Sequence, residues 1–317
     1  MTAGAEVRSA ESRPGRNSSG RIVYLALTIS AFFWGAGFSV SRFALRTVSP
    51  VEFLAGASFF AAVTQIMWTA IRGNWRDLKL PPRLLWAMLA LGLLSQNVLN
   101  GLTYLGLAST TATNAALIYG FSPVLIGLLA AIFLHESFGG QKVLGAIVGF
   151  GGVALIITQG RFETVQIHGM LAGNLWVLAA ASYWAAYAIF TRLITQRVTP
   201  QAFTFFILVP GALLPVAWVW VRENRFCLAG INLPTLLAMA FSGPCTATMG
   251  MNFWNWGLAH IEASRVGMFS YLEPVFAAAV AMIFLGERLT WPTIAGSALV
   301  FAGILLSTRS WGTQRQA

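Results

Sequence analysis

Charge is what this sequence has least of. Asp, Glu, Lys and Arg make up 9% of the 317 residues against 57% hydrophobic ones, and the mean hydropathy is +0.70. So small a charged complement cannot cover the surface of a water-soluble domain of this length. Lysine is scarcer still: Lys79 and Lys142 are the only two, and both fall between apolar runs. Cys227 and Cys245 form no CxxC pair, so neither a disulfide nor a metal site is expected. His135, His168 and His260 scatter among connections on different membrane sides, which again argues against a metal centre. There is no GxxxxGK[ST] loop for nucleotide hydrolysis, no GxSG or HExxH motif, and no His at mid-depth of an apolar run. An intramembrane enzyme would lack its nucleophile and base, and no cofactor is expected.

What the sequence has instead is apolar runs, at about 22–41, 51–71, 84–107, 111–134, 143–158, 170–191, 201–221, 234–258, 263–285 and 291–308. They read as ten transmembrane helices of an all-α polytopic membrane protein. Residues 1–21 carry Arg, Ser, Gly and Glu without an apolar stretch and read as a disordered cytoplasmic N-tail, with 309–317 as a short C-tail. The run from Ile22 lacks a cleavage site and is expected to stay as a span. A net charge of +10 would suggest nucleic acid in a soluble protein; here it follows from basic loops that orient the spans, and no nucleic-acid partner is expected. With the N-tail in the cytoplasm, only Arg42, Arg46, Arg161, Arg222, Arg225 and Arg288 fall outside, and the other 14 of the 20 Lys and Arg fall inside. This asymmetry puts both termini in the cytoplasm and the chain in the cytoplasmic (inner) membrane. The connecting loops are too short for a soluble domain, so the protein works within the bilayer.

The chain repeats itself. A shift of 151 residues superimposes Gly106 on Gly257, Pro123 on Pro274, Glu136 on Glu287, Gly145 on Gly296 and Gly152 on Gly303; a shift of 150 superimposes Trp34 on Trp184, Arg42 on Arg192 and Pro50 on Pro200. Residues 22–158 and 170–308 are therefore read as two copies of five spans. Five is odd, so the second copy enters the membrane with opposite orientation, the inverted-repeat plan of many secondary transporters, whose substrate site lies at mid-depth between the halves.

Within Ser270-Tyr271-Leu272-Glu273-Pro274, Glu273 is the one ionisable residue near the middle of a long apolar run. A carboxylate there must be protonated, paired or hydrated, which makes it a functional candidate. A low-dielectric setting favours its uncharged form, so Glu273 is a candidate for coupling a proton or cation to a solute; a permanently protonated, hydrogen-bonded Glu is the alternative. Its counterpart in the first copy is Ser122, so the halves differ in charge at this point. Pro123, Pro244 and Pro274 each remove a backbone donor inside a span and mark expected helix breaks.

Trp34-Gly35 early in the first span, the stretch Pro123 to Gly152, and Leu272-Glu273-Pro274 through Gly286-Glu287-Arg288 to Gly303 resemble the EamA family of the drug/metabolite transporter superfamily. The resemblance covers about 22–308. Family members often carry an Arg inside the second span, where this sequence reads Ala55-Gly56-Ala57-Ser58. The resemblance implies a secondary transporter that exports a small amino-acid-like metabolite by alternating access. The alternative is an exporter of cationic or aromatic drug-like compounds. Phosphorylated solutes, carried by other members of the superfamily, are disfavoured because no Lys stands within a span to hold phosphate.

Several polar and aromatic residues are candidate substrate contacts. Asn97, Asn100 and Tyr104 share one face of the third span, with Gln96 beside them. Such a stripe lines a cavity or bonds to a neighbouring helix. Trp34, Tyr183 and Trp184 sit near mid-depth, away from the interfacial belts where Trp concentrates, and either contact solute or pack the repeat. Trp254 and Trp256, nearer a span end, read as belt residues. Ser242-Gly243-Pro244-Cys245-Thr246 has the composition of a discontinuous helix, which brings Cys245 and Thr246 into the candidate site. Gly145, Gly149 and Gly152 in the fifth span, and Gly296 and Gly303 in the tenth, form small-residue faces for close packing, within the chain or in a homodimer. Glu136 and Glu287 at span ends are expected to cap and pair loops.

Overall fold

The computed structural model describes residues 18–107, 109–110, 112–165, 171–285 and 290–308. The N-tail before Ser18, the C-tail 309–317, His168 and Gly286-Glu287-Arg288 lie outside the described residues, as does the side chain of Tyr104. Helix α1 (Ser18–Ala44) begins within the stretch read as tail. It is followed by α2 (Pro50–Arg72), α3 (Pro82–Leu107), α4 (Ala112–Tyr119), α5 (Ser122–Phe133) and α6 (Gly140–Thr158). The second copy contains α7 (Leu171–Ile194), α8 (Pro200–Gly211), α9 (Leu213–Glu223), α10 (Leu233–Phe241), a π-helical segment Ser242–Met249, α11 (Gly250–His260), α12 (Ala263–Met268), α13 (Leu272–Leu285) and α14 (Trp291–Thr308).

Among the described residues, nine segments are long and apolar enough to cross a membrane. The remaining span, the eighth in chain order, is α10, the π segment and α11 taken together. The chain is thus an all-α multi-pass membrane protein of ten spans in two inverted five-span repeats. Both ends of the described chain lie on one side of the bundle, the tail face; the opposite side is the far face.

Local chemistry begins corresponding helices alike. Ser49 caps α2 and Thr199 caps α8, each followed by a proline in the first turn; Glu52 completes a capping box with Ser49. Gly73, at φ 68°, closes α2 in the left-handed conformation that a side chain would disfavour. The spans containing Pro123 and Pro274 both divide, α4 giving way to α5 at Gly120–Phe121 and α12 to α13 through a short 3-10 turn at Phe269–Tyr271. One division had no counterpart in the sequence reading: the seventh span bends between α8 and α9 around Gly211–Ala212, with Pro210 just before.

The packing respects the inverted repeat. α1 lies on α13 as α7 lies on α5; α3 lies on α7 as α11 lies on α1; α3 on α8 mirrors the π segment on α2. The pseudo-symmetry axis passes between α6 and α14, where glycines let the backbones meet. A Cβ on Gly152 would stand 2.5 Å from the Gly296 carbonyl oxygen, and one on Gly145 would stand 2.6 Å from that of Gly303. The small-residue faces of the fifth and tenth spans are thus spent on each other inside the chain. A homodimer using these helices would need their other faces, such as that of Gly151, which looks onto open space.

Gly152→Leu and Gly151→Leu separate these faces. Overpacking of about 1–3 kcal/mol is expected for the first and near-neutrality for the second. The check is the thermal unfolding midpoint in detergent, which should fall clearly for Gly152→Leu alone.

Candidate functional site

The far half of the bundle holds a cavity of about 290 Å³ between the repeats. Its wall runs from Ser41 and Phe53, near the far ends of α1 and α2, to Trp34, Trp184 and Met251 deeper in. Five of the residues singled out from sequence line it: Trp34, Gln96, Asn100, Trp184 and Thr246. Tyr119, at the α4–α5 break, lines it too. Among the described residues, no side chain in this wall carries a formal charge.

Two tryptophans form the floor, and a third packs behind them. Trp34 and Trp184, equivalent in the two repeats, meet edge to face at 5.5 Å between centroids, and Trp254 lies 5.1 Å from the first and 5.7 Å from the second. Trp254 is therefore not a belt residue: it is 1% exposed, because α11 continues to His260 and carries it inside the bundle. Trp256 is half-buried and sits against the His260 ring.

The irregular eighth span is held by α1. Trp34 Nε1 donates to the Thr246 carbonyl at 3.0 Å, Ser30 Oγ to that of Gly250 at 2.9 Å, and Thr246 Oγ1 to that of Phe33 at 3.3 Å. A π-helical turn, formed here around Pro244, displaces carbonyls from the regular ladder. In an apolar medium those carbonyls need partners. The Trp34 N–H is consumed in this task, so Trp34 offers the cavity only its ring.

The remaining sequence candidates take other positions. Asn97 turns from the cavity: its Nδ2 donates to the Leu93 carbonyl at 2.7 Å and the Gly211 carbonyl at 3.3 Å, across the α8–α9 bend. It serves the interhelical role that competed with cavity lining. Tyr183 is half-buried beside Trp184, and Cys245 is half-buried in the π segment; neither belongs to the cavity wall. Glu273 stands in the first turn of α13 where that helix meets α1, and a Cβ on Gly35 would come within 2.5 Å of its carbonyl. Tyr119 of the cavity wall lies near enough to sense its charge, while the buried Ser270 hydroxyl, three residues before it, has no hydrogen-bond partner among the described residues. Among the described residues, no ion pair involves Glu273.

On the tail face a clamp joins the repeats. Glu136 accepts from the backbone N–H groups of Ala263 at 2.7 Å and Ser264 at 3.0 Å, and from Ser264 Oγ at 2.7 Å, so it caps α12 of the other repeat. Lys142 Nζ donates to Glu262 at 2.9 Å and to Ser264 Oγ at 2.9 Å, and Arg265 Nε stands 2.6 Å from the same Glu262 oxygen. Burial works against charge on Glu262, but the Lys142 hydrogen bond and the two cations hold its carboxyl below the ordinary carboxylate range. Its contribution is present above the unfolded pKa and is lost as the pH falls through the lowered value. A larger hollow of about 580 Å³, lined by Arg76, Lys79, Arg83 and Arg197, also opens on this face, between the basic connections that follow α2 and α7. On the far face Arg225 pairs with Glu52.

Comparison with known proteins gives a consistent result. The model of the EamA-like transporter family matches residues 21–158 and again 171–309. The uncharacterized transporter YyaM of Bacillus subtilis (strain 168) is 27% identical, over 90% of this chain and 93% of its own. An uncharacterized transporter of Archaeoglobus fulgidus is 29% identical, over 90% and 98%. A protein of Streptantibioticus cattleyicolor named as a probable terminal-alkyne amino-acid exporter is 25% identical, over 92% and 95%. A solved crystal structure superposes with a TM-score of 0.78 at 19% identity, over 92% of this chain and 96% of the other, a likeness that speaks for the fold alone.

The cavity geometry sorts the amides of α3. Asn100→Cys and Ser58→Cys are expected to react with a small maleimide readily in the solubilised protein, while Asn97→Cys reacts slowly. Equal rates at Asn97 and Asn100, read by intact-mass spectrometry over time, would place both on the same surface and contradict the arrangement.

Proposed function

Because the chain belongs to the EamA-like transporter family, we propose that it is a secondary active transporter of the cytoplasmic membrane that exports a small amino-acid-like metabolite by alternating access. The observation that carries the reading is the cavity itself. It lies between the repeats, its floor pairs the repeat mates Trp34 and Trp184, and the tail face beyond is tied by the clamp. That is the form of a two-sided carrier closed at one end. In this reading 22–158 and 170–308 are the two moving units, and the tail face, with both termini, is cytoplasmic. An uncharged wall of rings, amides and hydroxyls suits a solute that is neutral or zwitterionic, and the similarity to the amino-acid exporter named above points the same way. Trp34, Trp184 and Tyr119 would flank the apolar part of such a solute, and Gln96, Asn100 and Thr246 its polar groups. Export of cationic aromatic compounds is the second reading, favoured by the link from Glu273 through Tyr119 to the cavity.

Glu273 is assigned the coupling of protons or cations. Reconstituted protein should exchange an amino acid from a solute library in counterflow and accumulate it further under a pH gradient. Glu273→Gln keeps size and hydrogen bonding but cannot titrate, so it should retain exchange and lose the gradient-driven accumulation. Wild-type accumulation with wild-type pH dependence would remove Glu273 from coupling; absence of counterflow with every amino acid and cationic aromatic compound would remove the transport reading.

Orientation is tested separately. Cysteines placed beside Arg161 should react with an impermeant reagent in intact cells, and those beside Arg76 should react only after permeabilisation. The reverse pattern would invert the assignment of faces.

A further inference from the structure

Directly beneath the cavity, on the side of the tail face, lies a layer of buried polar side chains. On four helices the residue one turn beyond a cavity-lining position is polar. Ala61 is followed by Gln65 on α2, Trp184 by Tyr187 on α7, and Met251 by Asn255 on α11; Thr204 precedes Ile207 and Leu208 on α8, which runs the other way. Asn252 completes the layer. Gln65, Thr204 and Asn255 are 0% exposed, Tyr187 6% and Asn252 7%. They are hydrogen-bonded in two groups: Asn252 Nδ2 donates to Gln65 Oε1 at 2.7 Å in one, and Asn255 Nδ2 to Thr204 Oγ1 at 3.0 Å and Tyr187 OH to Asn255 Oδ1 at 3.4 Å in the other. The layer is also incompletely satisfied, because Gln65 Nε2 and the neighbouring Trp254 Nε1 are buried with no hydrogen-bond partner among the described residues.

This layer is an expensive way to pack a membrane bundle. An interhelical hydrogen bond between polar side chains stabilises by only about 0.6 kcal/mol on average. A buried donor left unsatisfied costs roughly 1–3 kcal/mol. Leucine at these positions would pack without either term. Polar groups that face no lipid and are poorly satisfied in one conformation belong where another conformation wets them. The cavity above ends on Trp34, Trp184 and Met251, and the clamp of Glu136, Lys142 and Glu262 closes the tail face beyond.

We propose that Gln65, Tyr187, Thr204, Asn252 and Asn255 form a second solute-binding layer, sealed here and exposed to the tail face when the clamp parts, which takes the polar end of a neutral or zwitterionic solute. Amides and hydroxyls donate and accept in equal measure, so the layer serves a carboxylate and an amine together and favours neither a free cation nor a free anion. The proposal rests on the alternating-access reading, and its test separates the two.

Single cysteines at Thr204 and, as a control in the cavity, at Ser58 are exposed to an impermeant methanethiosulfonate in right-side-out and inside-out vesicles, with the modified peptide located by mass spectrometry. Thr204→Cys is expected to react from the tail face, about tenfold faster when Glu136→Gln loosens the clamp by about 1.4 kcal/mol. Ser58→Cys is expected to react from the far face. Should Thr204→Cys fail to reach the membrane, Gln65→Cys carries the same test. If Ser58→Cys reacts from the far face and counterflow is present, while the layer cysteine reacts from the far face only or from neither, the layer is fixed packing and the proposal falls with the transport reading intact. If neither cysteine reacts from any face and counterflow is absent, both fall.

Discussion

The satisfaction of backbone carbonyls in a medium that offers no water is the constraint on which the rest of this structure depends. Nine spans meet it largely by helical ladders; the eighth does not, because Pro244 and the π-helical turn displace its carbonyls. Trp34 and Ser30 of α1 supply the missing donors. The first repeat thereby stabilises the irregular helix of the second at the depth where the cavity forms. The same contact fixes the plane of the Trp34 ring, against which Trp184 and Trp254 pack. Backbone chemistry and the shape of the floor are one arrangement.

Close approach is the second element of the design. Glycine brings α6 and α14 together, and Gly35 brings α1 against the start of α13, where Glu273 stands. Tight contacts on the outside of the pseudo-symmetric bundle leave looser, polar and aromatic surfaces at its centre. The two repeats are thus bound at their edges by close helix contacts and joined at the tail face by side-chain contacts and a helix cap.

Much of the architecture was legible in the sequence because its causes are local or periodic. Hydropathy marks a span without reference to any partner, and the prolines at 123 and 274 keep their spacing whatever surrounds them. The site was legible only in part. Trp34, Trp184, Gln96, Asn100 and Thr246 were found by polarity or aromaticity at mid-depth, and they reach one cavity. Tyr119 was missed because the sequence gives no sign that the α4–α5 break turns it inward. Gln65, Asn252 and Asn255 were missed because a polar residue in a span announces burial but not its partners. Asn97 and Asn100 differ by less than one helical turn, and only the bend at Gly211 decides that the first meets a carbonyl and the second the cavity. Trp254 was misplaced because depth had been counted from a span end, and α11 extends beyond it.

The cap that Glu136 places on α12 has a consequence for how the chain is made. Synthesis runs from the N-terminus, and Glu136 is in place more than a hundred residues before Ala263 leaves the ribosome. The two backbone donors that open α12 then find their acceptor already waiting in the earlier repeat. The first half acts as a template on which the second is finished, and the dependence runs one way in time although the fold is symmetric in space. A change at Glu136 is thus felt by a helix not yet synthesised.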